Sequence, residues 1–275
     1  MRDGEPSRTA FGAAVHRAVH PELDHPVVFE DPLAWRILGA DREQILAEAP
    51  HRSRLRIFVA VRHRFAEDVV AAAVAGGVRQ VVLLGAGLDT FAYRQPEHPP
   101  HGAMRIFEVD LSATGEWKRT RLAEAGIEVP GSVTYVGVDF EHDDLMSRLV
   151  ESGFDASSPA EFMWLGVVPY LTREAVAATL RAIATVPGAE VILDYAAADG
   201  EGEAPGSIEL AARVAEAGEP FSPRWEPAEL AALLAGSGFD QVEDLGRPEL
   251  RSRYLGLPSG PAGGGAHLVR ARRSA

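Results

Sequence analysis

Val81-Val82-Leu83-Leu84 runs directly into Gly85-Ala86-Gly87-Leu88-Asp89-Thr90, an apolar strand that delivers the chain into a glycine-containing turn. Gly85 and Gly87 can adopt backbone conformations closed to other residues and leave no side chain between backbone and ligand, so a nucleotide-sized molecule can lie against Gly85, Ala86 and Gly87. About 20 residues later the segment Met104 to Asp110 reads as a second strand ending in acid, where ribose hydroxyls need an acceptor. A third strand, Ser132 to Val138, ends at Asp139-Phe140: a carboxylate to accept from a base amino group and a ring to cover the base face. Asp139 could equally cap a helix over Glu141 to Glu151 while Phe140 packs inward, and the two roles are compatible. With Glu108, these acids are expected at the carboxyl edge of one parallel sheet, where open α/β sheets bind ligands.

The turn also separates cofactors. A pyrophosphate fingerprint calls for a third close-packing glycine near position 90 and no acid in the turn, whereas Asp89 stands there and would repel phosphate. S-adenosyl-L-methionine suits the residues better. Its sulfonium and amino groups are positive, its carboxylate needs a separate cation, and its ribose needs an acid. Asp89 or Thr90 would cap the short helix that follows.

The elements that must position these residues alternate between strand and helix from about residue 53, the pattern of a sheet with crossover helices. Helices are expected at Ser53 to Ala75, Ser112 to Ala125, Glu141 to Ser152, Thr172 to Thr185, Ser207 to Ala217 and Glu226 to Gly236. Further strands are expected at Glu161 to Val168, Glu190 to Tyr195, Phe239 to Leu245 and Ala266 to Ala271. The Gly- and Pro-rich stretch Leu257 to Gly265 has no helical pattern, which implies that the last two strands form an antiparallel pair. Seven mostly parallel, Rossmann-like strands with a terminal antiparallel hairpin match the layout of the class I methyltransferase sheet. Residues 1–52 read separately, as helical runs around Ala10 to Val19 and Pro32 to Leu38 broken by Pro21 to Pro26. They are expected to form an N-terminal helical lid on a cofactor-binding domain of residues 53–275.

Bulk composition narrows the partners. The 275 residues carry a formal charge of −13 and no cysteine, which argues against a nucleic-acid partner and against disulfide or thiolate chemistry. No apolar stretch is long enough to span a membrane and no signal-peptide pattern opens the chain, so a soluble, cytoplasmic protein is expected, with its oligomeric state left open. Arg52, Arg54, Arg56, Arg62 and Arg64, with His51 and His63, could form a local basic patch, although all basic residues but Lys118 are arginine and the recurrence is partly compositional. Glu141-His142-Asp143-Asp144 is explained as an exposed first helical turn, and no metal site is expected.

Together the motifs resemble the leucine carboxyl methyltransferase-like family, particularly its bacterial branch of small-molecule O-methyltransferases. The resemblance runs from about Val15 to Tyr195 and is strongest over Gly77 to Thr90, Tyr93-Arg94 and Phe107-Glu108-Val109-Asp110 with Lys118 after it. Arg62-His63-Arg64-Phe65-Ala66-Glu67-Asp68 is similar to the family's arginine-and-acid helix, and Phe29 to Ala34 to its amino-terminal segment. It implies Arg62 for the methionine carboxylate, where a guanidinium can bind in a bidentate manner, against the plainer alternative of a surface arginine or an Asp68 partner. It further implies Gly85 and Gly87 beneath the cofactor, Asp110 on the ribose, and Asp139 and Phe140 at the adenine. Lys118 matches a family position but, as a lone cation in the helix after the second strand, could simply be exposed, and it is left out of the expected site. Two positions depart from the family: Phe91 stands where it usually has arginine, and Leu165 where it commonly has glutamate before Gly166. The second removes a polar contact to the cofactor.

Methyl transfer from a sulfonium is an in-line displacement with a neutral leaving group, so positioning supplies much of the catalysis. A carboxylate acceptor needs no base, whereas a phenol or alcohol benefits from proton removal. The expected acceptor-side residues are Tyr170, which matches the family's tyrosine after the fourth strand, Tyr195 beyond the fifth, and His25 in the lid segment. The expected substrate is a small-molecule carboxylate or phenol. A protein C-terminal carboxylate and non-catalytic ligand binding are the alternatives.

Overall fold

The computed structural model describes residues 7–51, 53–95, 104–198, 224–258 and 265–274. Its strands are β1 (Gln80–Leu84), β2 (Arg105–Asp110), β3 (Val133–Gly137), β4 (Ala160–Trp164), β5 (Glu190–Ala197), β6 (Gln241–Leu245) and β7 (Gly265–Arg272). They form one sheet in the order β3-β2-β1-β4-β5-β7-β6. The pairings from β3 across to β5 are parallel, and β7 lies antiparallel to both β5 and β6. Strand order reverses at β1, where successive crossovers depart to opposite sides and leave a crevice at the carboxyl ends.

Alternation along each strand divides the core into two layers. Val82 and Leu84 face one side with Phe107, Phe162 and Val191, and pack on Leu149, Leu180, Ile183 and Leu234 of helices α6 (Leu145–Glu151), α7 (Arg173–Ile183) and α8 (Pro227–Ser237). Val81 and Leu83 face the other side with Ile106, Met163 and Ile192, against Phe65, Val69 and Val70 of α4 (Arg54–Ala75) and Leu250 of α9 (Arg247–Leu255). A third cluster joins Ala14 and Ala18 of α1 (Arg8–Leu23), Ile37 and Leu38 of α2 (Ala34–Leu38), Leu88, and Leu122 of α5 (Ser112–Glu124). Ser53, Asp144 and Thr172 cap α4, α6 and α7 through side-chain oxygens that accept from Arg56, Ser147 and Ala175 backbone N–H groups, each worth about 1 kcal/mol.

Several boundaries differ from those expected. β4 stops at Trp164 because Gly166 turns the chain at φ 71° and Val168–Tyr170 forms a 3-10 turn. The helix expected from Glu141 begins at Leu145, because Asp144 supplies its cap. α1 continues through Pro21 to Leu23: in the last turn the missing N–H forgoes one bond, and the helix tolerates it. A further helix, α3 (Arg42–Glu48), fills the amino-terminal segment. The terminal pair is antiparallel, yet α9 lies between its strands; β7 runs antiparallel because it returns into the gap between β5 and β6. The helix expected at Ser207 to Ala217 lies outside the described residues.

Arg56, Arg62 and Arg64 do not join one basic patch, and Arg52 lies outside the described residues. Arg56 turns inward to Asp24 (2.6 and 2.8 Å), Arg62 to Asp194 (3.1 Å), and Arg64 pairs with Asp68 on the surface (2.9 Å).

At the opposite end of the sheet Glu161 of β4 stands in register with Glu190 of β5. Both Glu161 carboxyl oxygens are buried without a hydrogen-bond partner, and burial together with Glu190 pushes its pKa well above the ordinary range. A carboxyl whose folded-state pKa is raised stabilises the fold fully below its unfolded pKa and loses that contribution as pH rises. Glu161→Gln is therefore expected to raise the melting temperature at pH 8, with the advantage shrinking toward pH 4. Equal shifts at both pH values in thermal melts would contradict this.

Candidate active site at the carboxyl edge of the sheet

The turn after β1 is built from backbone. Gly85 and Gly87 have φ 68° and 43°. The Gly85 and Ala86 N–H groups donate to the Val109 carbonyl (2.8 and 3.0 Å), and the Gly87 N–H donates to Asp110 Oδ2 (2.7 Å). A Cβ on Gly85 would meet Val167 Cγ2 at 2.3 Å, and one on Gly87 would meet Ala10 Cβ at 2.9 Å. The turn is thus pressed between the β4 loop and α1 with no room for side chains. Asp89, rather than Thr90, caps the following 3-10 turn by accepting from the Phe91 N–H (2.8 Å), and Phe91 is buried in the core.

Over this turn lies a cavity of about 570 Å³. It is lined by the turn itself, Asp110 and Leu111 from the end of β2, Asp139 and Phe140 from the end of β3, Leu165 and Tyr170 after β4, Arg62 on α4, and His16 on α1. All seven residues expected to hold the cofactor (Arg62, Gly85, Ala86, Gly87, Asp110, Asp139 and Phe140) line this one space, as does Tyr170. A smaller cavity of about 170 Å³ adjoins Ala86, Gly87 and Asp110 on the α5 side.

Arg62 is buried, with Nη1 donating to Asp194 Oδ2 at 3.1 Å and Nε lacking a protein partner. Asp194 also accepts from the Gly166 N–H at 2.5 Å, which ties the arginine to the β4 loop. Leu165 therefore does not leave Arg62 without a carboxylate, because Asp194 of β5 supplies one. Asp110 accepts from the Gly87 and Leu111 N–H groups, and burial nonetheless pushes its pKa up. Asp139 accepts from the Glu141 N–H (3.0 Å) in a tight turn instead of capping α6, and Phe140 rests on Trp164 with ring centroids 6.2 Å apart.

Other expected residues go elsewhere. Tyr195 is 1% exposed and does not line the cavity; its hydroxyl donates to Asp244 (2.7 Å), since its place in β5 turns it toward β7 and β6. His25 is exposed beyond the end of α1 and does not line the cavity either. Glu108 does not line the larger cavity: it is buried against Lys118 Nζ at 2.8 Å, and the two side chains, both buried, line the smaller one. Of Glu141-His142-Asp143-Asp144, Asp143 accepts from the Asp139 N–H and Asp144 caps α6; no group of three or more metal-ligating side chains occurs among the described residues.

Sequence reasoning missed the clamp on α1. Arg17 donates to Asp31 (2.9 Å) and to the Leu88 carbonyl (2.6 Å), and Thr90 donates to the same carboxylate (2.6 Å). The first helix is thereby fastened to the glycine turn. Nothing local in the sequence links Arg17 to Asp31, 14 residues further on.

These groups suit S-adenosyl-L-methionine: an orphaned guanidinium N–H, a backbone cradle that a Cβ would fill, a strand-end acid and an acid-aromatic pair. Asp110→Ala is expected to weaken binding of S-adenosyl-L-homocysteine by ~1–3 kcal/mol, as ribose hydroxyls and the Gly87 N–H lose their acceptor. Unchanged affinity in calorimetry of a folded variant would remove Asp110 from the site.

Comparison with known proteins places the chain among relatives. A family model described as leucine carboxyl methyltransferase matches residues 10–184. "Putative S-adenosyl-L-methionine-dependent methyltransferase YktD" of Bacillus subtilis (strain 168) is 28% identical, with 93% of this chain and 93% of that protein covered. A Mycobacteroides abscessus protein of the same designation is 32% identical over 70% of this chain, which spans 65% of its length. A solved structure from Nostoc punctiforme PCC 73102, named "putative O-methyltransferase", has a TM-score of 0.50 at 15% identity, covering 96% of this chain and 72% of that one, and shares the fold.

Proposed function

The chain belongs to the leucine carboxyl methyltransferase family and is an S-adenosyl-L-methionine-dependent methyltransferase; from that premise we propose that it methylates an oxygen of a small molecule, a carboxylate or a phenolic hydroxyl. The observation that carries this reading is the single cavity in which a polar cofactor wall continues into Leu55, Val59, Leu165, Leu171 and Tyr170. Small-molecule sites combine an apolar lining with a few placed polar groups in this way.

When bound, the cofactor supplies a methyl group on a positively charged sulfur. Arg62 takes its carboxylate, Asp110 the ribose hydroxyls, and Asp139 with Phe140 the adenine; Gly85 and Gly87 let it approach the backbone. Tyr170 orients the acceptor from the β4 loop. Residues 1–52 cap the site and residues 53–275 carry the sheet, so bound S-adenosyl-L-homocysteine is expected to slow hydrogen exchange within residues 15–35 as well as 85–90. The net charge of −13 speaks against a nucleic-acid partner, and no helix among the described residues is long and apolar enough to cross a membrane. A cytoplasmic role in small-molecule metabolism is the setting that fits this reading.

A mass-spectrometric screen for cofactor-dependent addition of one methyl group across small carboxylic acids and phenols tests the reading, with Tyr170→Phe examined on each hit. Exclusive N-methylation, or turnover only on nucleic acid, would overturn it. The description of the matched family favours a second reading, a protein C-terminal carboxylate, which peptides ending in free leucine would reveal in the same screen.

A further inference from the structure

We infer that His16 is the catalytic base of this site and that the acceptor it serves is a phenolic hydroxyl, an inference that rests on the oxygen-methylation reading and narrows it. His16 lines the cavity from α1, across from Leu55, Val59 and Arg62 of α4 and from Leu165 and Tyr170 after β4. The other well-buried histidines are already committed. His20 lies between Asp24 (3.0 Å) and the Val28 N–H (3.1 Å), and His63 between the Val59 carbonyl (2.7 Å) and Asp89 (3.4 Å). The His16 ring makes no hydrogen bond to any described residue and only partly leaves solvent, so a proton it accepts has a way out.

The charges facing His16 are Arg56 and Arg62 on α4 and Asp24 just beyond α1. Burial, with the two guanidinium groups, lowers its pKa to about 4 against the weaker pull of Asp24, and the imidazole is neutral at pH 7 with a lone pair to offer. A carboxylate seated on Arg62 cancels part of that positive field, so His16 becomes more basic when the cofactor site is filled. A carboxylate acceptor has no proton to lose and no use for such a base. A phenol does. The acceptor oxygen forms its bond to the methyl carbon as the carbon–sulfur bond breaks and leaves its electron pair on sulfur. The hydroxyl proton passes to His16, which carries it as imidazolium until solvent removes it.

The test compares wild type with His16→Gln, each saturated with S-adenosyl-L-homocysteine, using 4-nitrophenol as a chromophoric probe. Bound 4-nitrophenol is expected to ionise at least about 10-fold more readily in wild type, read as phenolate absorbance across a pH titration. In turnover, the variant is expected to lose roughly 100-fold in kcat on phenols, within the range of general-base contributions. Its affinity for S-adenosyl-L-homocysteine should stay within about threefold of wild type. Wild-type activity on phenols should fall at acidic pH as His16 protonates, and this limb should be missing in the variant. Equal ionisation of bound 4-nitrophenol in both proteins would overturn the proposal, as would a tenfold loss of cofactor affinity with kcat retained, which would make His16 a cofactor ligand. If neither protein methylates oxygen, the underlying reading fails, and the 4-nitrophenol titration still decides the role of His16.

Discussion

Replacing Lys118 with methionine is expected to destabilise the protein by about 3–5 kcal/mol, the cost of leaving a buried carboxylate without its cation. Lys118 is 1% and Glu108 2% exposed, with Nζ to Oε1 at 2.8 Å. Glu108 Oε2 accepts from the Tyr93 hydroxyl (2.8 Å), which is in turn 2.9 Å from the Tyr135 hydroxyl. Burial pushes the Glu108 pKa up while Lys118 and Tyr93 pull it down, so removal of Lys118 leaves desolvation opposed by the Tyr93 hydroxyl without its cation. The double variant Lys118→Met with Glu108→Gln should recover most of the loss, because it leaves no charge in the core. Denaturant unfolding of the two variants checks this. A Lys118→Met loss below about 1 kcal/mol, or a double variant no better than the single, would show that the pair is not the unit of stability.

Arg62→Met is expected to weaken binding of S-adenosyl-L-homocysteine by about 2–5 kcal/mol, the usual cost of truncating one member of a buried, hydrogen-bonded charge pair. The guanidinium is fixed before ligand arrives by Asp194, and its buried Nε remains without a protein partner, so little ordering entropy is lost on binding. Arg62→Lys should fall between the two, since an ammonium keeps the charge but loses the planar fork. Asp194, losing its cation, becomes a buried carboxylate that keeps, among the described residues, the Gly166 N–H, and the variant should also melt at a lower temperature. Calorimetric titration of folded Arg62→Met with wild-type affinity would exclude Arg62 as the carboxylate ligand.

That Gly85 to Gly87, Asp110, Asp139 and Phe140 share one cavity was legible because their placement is local. The run from Val81 to Thr90 encodes strand, positive-φ glycines and turn within ten consecutive residues, and Asp110 closes β2 while Asp139 and Phe140 come just after β3. A parallel sheet carries every such terminus to the same edge. The acceptor half was less legible. Tyr195 and His25 were expected near it from their places after a strand and in the lid segment. Yet Tyr195 faces Asp244 and His267 because β7 returns beside β5, and His25 follows α1 to the exposed side. His16 carried no motif at all: it reaches the cavity because α1 packs along α4 and crosses the glycine turn.

The sequence by itself determined the parallel α/β sheet with its antiparallel end, the glycine turn, the acids at the strand ends and the family, because periodicity, turn chemistry and contiguous motifs act over a few residues. Only the tertiary structure decided which charges are consumed and which face the cavity. Lys118 is spent on Glu108, Arg56 on Asp24 and Arg17 on Asp31, while Arg62 and His16 face the site. Those assignments join residues up to 132 positions apart, as Arg62 and Asp194 are. They follow from burial, because a charge removed from water must find a partner wherever packing brings one, and no local pattern records where that is.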